Sequence, residues 1–236
     1  MIDLVREHGG GGGPTKGKKR QKAKKPEKPN LSRCLQIELD GVVPKIWRTV
    51  IIPSDATFGW LHAVIQIAMG WTNSHLHHFR FGKTIVSDPA FELNSFEDDP
   101  PVVDEKKARL KDWFDESEAV LLYEYDFGDS WFHQITLGKA GPSKGGIAGQ
   151  AVCVDGARAC PPEDCGGIGG YEEFLKAMRN PKHPEHRSMK EWIGGKFDGE
   201  RFSVEQTNRW LSKLPWPRVT ESALRKVLMS RDGVDG

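Results

Sequence analysis

The chain has 236 residues, room for one large domain or two small ones around a buried core. Its apolar fraction of 37% is low because the first thirty residues carry almost no large apolar side chain after Val5. The longest apolar run, 61–69, is far short of the roughly eighteen residues of a membrane helix, and the N-terminus lacks the order of a secretory signal. A cytoplasmic protein with no membrane partner is therefore expected.

The net charge of +1 hides a segregation. Between positions 16 and 28 stand eight cations, Lys16, Lys18, Lys19, Arg20, Lys22, Lys24, Lys25 and Lys28, against the single Glu27, which leaves the rest of the chain at about −6. Five consecutive glycines precede them, Gly9 to Gly13. Glycine entropy and like-charge repulsion predict a disordered tail over 1–30, with nonspecific affinity for nucleic acid through Lys18, Lys19, Arg20, Lys24 and Lys25. A solubilising leader would have the same composition.

Order is expected to begin near Leu31. Leu35, Ile37 and Leu39 alternate with Cys34, Gln36 and Glu38, the period of a half-buried strand, and 46–52 reads as its return strand, ended by Pro53. Ser54, Asp55 and Thr57 are N-cap candidates for an amphipathic helix carrying Leu61, Val64, Ile65, Ala68 and Met69 on one stripe, with Gly70 as its stop. Short strands follow at 77–81 and 84–86. Residues 88–104 are acidic and aperiodic, hence a loop, and Leu110, Trp113 and Phe114 suggest one short helix. A second hairpin pairs 120–125 with 131–137 across Asp126-Phe127-Gly128-Asp129-Ser130. Beyond a small-residue connection at 138–149 the chain turns helical, at 171–178, 185–192, around Trp210 and Leu211 behind the capping box of Ser203 and Gln206, and at 221–229. The expected class is α+β: a mixed sheet from two hairpins with packed helices, a domain over 31–214 and an extension over 215–236.

Three stretches resemble the plasmid pRiA4b ORF-3-like family: Trp-Thr-Asn-Ser-His-Leu-His-His-Phe at 71–79, Tyr-Glu-Tyr-Asp-Phe-Gly-Asp-Ser-Trp-Phe-His at 123–133, and the cysteine-bearing run at 153–171. Pro44 to Arg48, Glu191-Trp192 and Phe197-Asp198 agree with the same pattern. The resemblance implies an α+β fold with a mixed sheet and no particular activity. Some family members carry a transposon-resolvase label, but no serine nucleophile among clustered arginines stands in this acidic body.

Cys153, Cys160 and Cys165 fall within thirteen residues rich in Gly and Pro. One expectation is a structural zinc on these three thiols with His133 as fourth ligand, or His183 or His186 in its place; the other is no metal at all, with no further cofactor. His75, His77 and His78 form a second group. On a strand, His75 and His77 would share a face and His78 would oppose them; a metal-binding or acid–base role competes with simple packing around a turn. Asp126 and Asp129 suit a tight turn that uses their oxygens on backbone N–H groups, or a general acid–base role with His133 or His77, and Glu163 and Asp164 admit the same pair of roles. Trp131 could line a groove beside them. The glycines at 166–170 lack the lysine and preceding strand of a phosphate-binding loop. Two functions follow as expectations: an interaction module linked to mobile elements and aided by the basic tail, or a metal- or His/Asp-dependent enzyme around 75–78 and 126–133.

Overall fold

A computed structural model describes residues 31–93, 101–114, 119–138, 141–142 and 149–231; the basic tail lies outside them. The strands are β1 (Leu31–Leu39), β2 (Ile46–Pro53), β3 (His77–Phe81), β4 (Thr84–Ser87), β5 (Val102–Asp104), β6 (Ala119–Tyr125), β7 (Trp131–Leu137), β8 (Gly141–Pro142) and β9 (Val152–Ala157). The helices are α1 (Phe58–Met69), α2 (Leu110–Trp113), α3 (Gly167–Arg179), α4 (His186–Trp192), α5 (Val204–Leu211) and α6 (Glu221–Met229).

All the strands join one sheet in the order β5-β4-β3-β6-β7-β1-β2-β9, with β8 on β1. Its pairs are antiparallel except β4–β5, which is parallel, so the sheet is mixed and the class is α+β as expected. Alternation sets its two faces. Leu35, Ile37 and Leu39 of β1, and Trp131, His133, Ile135 and Leu137 of β7, turn into the core; Gln36, Phe132, Gln134 and Thr136 stay exposed.

Helix α1 opens on Thr57, whose hydroxyl accepts from the Trp60 N–H, and closes on Gly70 in a left-handed conformation at φ 101°. Here one expectation needs correction: α1 is not amphipathic, because every residue from Phe58 to Met69 is buried. The sheet takes one side, and the C-terminal elements take another. Trp60 donates to the Pro215 carbonyl and meets Trp216 edge-on, and Leu224, Val227 and Leu228 of α6 belong to the same core. Three strands escaped the sequence reading, and one of them, β8, lies in the small-residue connection expected at 138–149. β5 lies inside the stretch expected to be a loop, and β9 runs through Cys153, which therefore pairs with β2 and does not sit in an irregular loop.

Candidate functional site

Three chain segments meet beyond the end of the β6–β7 hairpin: the turn after α1, the hairpin turn itself, and the loop before α3. His75 precedes β3 and does not share a strand face with His77. Its Nε2 is buried without a regular hydrogen bond, yet lies 3.2 Å from Asp164 Oδ1, 3.6 Å from Asp126 Oδ2 and 3.6 Å from Glu163 Oε2. Among the described residues, His75, Asp126 and Asp164 are the one group of three or more His, Cys, Asp or Glu ligand atoms lying within 4.8 Å of one another.

The sequence explains how each is held. Asp126 divides its carboxylate: Oδ1 accepts the N–H groups of Gly128 and Asp129, closing the turn, while Oδ2 faces His75. The turn role expected of it is seen, while the imidazole it faces is that of His75 and not His133 or His77. Asp129 Oδ2 accepts the Gly166 N–H and so ties the hairpin turn to the loop that carries Asp164. Glu163 is fixed by the Tyr125 hydroxyl at 3.0 Å and by the N–H and hydroxyl of Thr72 at 2.7 and 2.9 Å. Of the six non-glycine residues with left-handed φ among those described, Asn73, Asp126, Ser130 and Asp164 flank this group. Such conformations persist only where surrounding bonds impose them, and they concentrate at sites.

His75 also lines a cavity of about 600 Å³, roofed by Arg218, Val219 and Leu224. Its inner wall is His62 and His77, stacked with ring centroids 3.4 Å apart and planes 5° from parallel. His62 is held by the Tyr123 hydroxyl at 2.9 Å and Asn73 Oδ1 at 2.6 Å, and His77 Nε2 meets Glu105 Oε2 at 2.7 Å. Burial, then the neighbouring histidine, drives the pKa of His62 down to about 3; burial does the same to His77. Glu105 is pushed up by the same burial. Two stacked rings 3.4 Å apart can both be accommodated only while neutral.

The remaining candidates go elsewhere. His78 faces Glu124 at 3.5 Å and packs against Phe127. Trp131, expected along a groove, is 1% exposed, because the β7 alternation turns it into the core. His133 follows the same alternation: it is enclosed by Trp71 and Tyr123, neither ring nitrogen has a regular hydrogen bond, and it does not reach Asp126 or Asp129. Nor do the thiols gather around it. Cys153 is in β9, Cys160 lies 3.8 Å from Arg48 Nη2, and Cys165 sits nearer the aspartates, with burial pushing the thiols of Cys160 and Cys165 up to about 11 and about 12. Glu105 was beyond sequence reasoning: it stands in the charged run Asp104-Glu105-Lys106-Lys107, where nothing marks one carboxylate as buried. Lys18, Lys19, Arg20, Lys24 and Lys25 lie outside the described residues.

The fold and this site define an α+β protein with one imidazole set among carboxylates beside a cavity. The family profile described as plasmid pRiA4b ORF-3-like protein matches residues 32–206, and the chain belongs to that family. It is 35% identical over 188 residues to the uncharacterized protein y4hQ of Sinorhizobium fredii (strain NBRC 101917 / NGR234), covering 78% of this chain and 93% of that protein. The crystal structure of a protein of unknown function, MM3350 from Methanosarcina mazei Go1, is similar with a TM-score of 0.66 and 35% identity, covering 75% of this chain and 98% of the other. No helix among the described residues is long and apolar enough to cross a membrane.

Proposed function

We propose that the chain is a divalent-metal-dependent enzyme, with its metal at His75, Asp126 and Asp164 and a small polar substrate in the adjoining cavity. The observation that carries this reading is electrostatic. Asp126, Glu163 and Asp164 crowd around one imidazole, and among the described residues none of them has a lysine or arginine ion pair. A divalent cation supplies the missing positive charge, and the His75 lone pair then has a partner.

One nitrogen and two carboxylate oxygens suit zinc, manganese or iron, and three protein ligands leave positions open for water and substrate. A metal so placed acidifies bound water or polarises a carbonyl or phosphoryl oxygen. The neutral His77, oriented by Glu105, forms part of the wall of the same cavity. Four free thiols fit a reducing cytoplasm. The interaction-module alternative is aided by a basic tail that lies outside the described residues, and structural zinc on the cysteines has no converging ligand group among the described residues.

The test is calorimetric titration of the chelator-treated full chain with Mn²⁺, Zn²⁺ and Mg²⁺. Saturable binding near one ion per chain, lost in His75→Ala and Asp164→Asn while Cys160→Ser keeps it, is expected. Binding that survives both substitutions would place the ion elsewhere.

A further inference from the structure

A second cavity, of about 420 Å³, opens on the other side of the turn after α1, between that turn and the segment leading into α5. Its charge is out of character with the rest of the chain outside the basic segment 16–28. Arg48, Lys196, Arg201 and Arg231 line it against the single acid Asp198, in a body that is otherwise acidic.

Arg48 sets the field from below. It is 1% exposed, and its guanidinium has no carboxylate partner among the described residues. Instead it spends its donors on the carbonyls of Ala68, Trp47, Ala157 and Arg158 and on Cys160 Sγ, with the Phe202 ring 3.8 Å from its Cζ. Burial holds Cys160 and Cys153 as neutral thiols, so they do not offset this charge. A guanidinium remains charged in a protein, and a fixed charge without a counter-ion raises the potential of the cavity above it.

At the rim, Lys196 and Arg201 are exposed, and their side chains make no hydrogen bond or ion pair to another described residue. Arg231 is anchored over the cavity by donating to the Trp71 and Leu228 carbonyls. Thr72 and Ser203 add neutral polar groups, and Ser203 caps the positive end of α5.

We propose that this cavity binds the phosphate group of a small molecule. The volume is that of a small-ligand site. Arg48, Lys196 and Arg201 around one opening exceed what a single carboxylate would balance, whereas a phosphate monoester carries about −1.5 to −2 at neutral pH. The site does not rest on the metal at His75; it touches that centre only through Thr72, which holds Glu163.

Phenyl phosphate is the probe, titrated into the full chain at low ionic strength and followed by calorimetry and by ³¹P line width. The Lys196→Ala/Arg201→Ala double variant removes two exposed charges, so its melting temperature should match the parent. A Lys182→Ala/Arg187→Ala variant controls for charge lost elsewhere. Binding to the parent and to the control, weakened at least about tenfold in the double variant for two lost charge-assisted contacts, is the expected result, with His75→Ala leaving it unchanged. Equal binding in all variants would assign the phosphate to the basic segment 16–28, present in each of them, and would overturn the proposal. So would an absence of saturable binding to the parent.

Discussion

At the scale of one residue, Arg48 ties several elements together from a buried position. It stands at an inward position of β2, where alternation calls for an apolar group, and its bonds lace β2 to the end of α1 and to the 157–158 turn. Lysine has three donors and no fork, so it cannot serve these acceptors. Arg48→Met leaves several buried carbonyls unpaired and should cost more than about 3 kcal/mol in denaturant unfolding; Arg48→Lys should recover only part of it. A loss under about 1 kcal/mol would mean that water reaches those carbonyls. The guanidinium was visible in the sequence only as part of a family pattern. Its burial depends on β9 and the loop after it, which the sequence did not announce.

Legibility differed by element. The first strands, α1 with its Thr57 cap, the second hairpin and the Ser203 cap were readable because period and capping chemistry are local. β9 was hidden by Asp155 and Gly156, poor strand formers in isolation that the edge of β2 nevertheless recruits. The site was half legible for the same reason. His75 and Asp126 stood out as motif residues, whereas their meeting with Asp164 depends on how α3 starts. That start is tight: a Cβ on Gly170 would fall 1.9 Å from the Cys165 carbonyl oxygen. Gly170→Ala must therefore push the 163–166 loop away from the hairpin turn. Metal affinity is expected to fall at least about tenfold with a melting temperature lower by several degrees, since one misfit in a short loop costs about 1–3 kcal/mol. A variant with parental metal affinity would separate Asp164 from the site.

For the whole molecule, the buried histidines set the response to acid. Burial lowers His62, His77 and His133 to about 3 and His78 to about 4, against 6.5 in the unfolded chain. Between those values the unfolded state binds more protons. The stability from keeping these rings neutral is thus complete above pH 6.5 and is lost as pH falls toward 3, at about 1.4 kcal/mol per ring per pH unit. Glu105 and Glu124, both raised by burial, work in the opposite sense above pH 4.5, two groups against four. Cooperative unfolding between about pH 6 and pH 4 is expected, with uptake of several protons. His133→Phe, which removes an unpaired imidazole from the core, should shift the transition to lower pH by removing one of those protons. A melting temperature that stays flat down to pH 4 would contradict the neutral, buried state of these rings.

The convergence of His75, Asp126 and Asp164 is tested most directly by titrating Mn²⁺ and Zn²⁺ into the metal-free full chain and its His75→Ala variant. One saturable site per chain in the parent, absent from the variant, is the predicted result. Identical isotherms for the two proteins, or none for the parent, would leave the imidazole as a charge partner for its carboxylates and the centre without a metal.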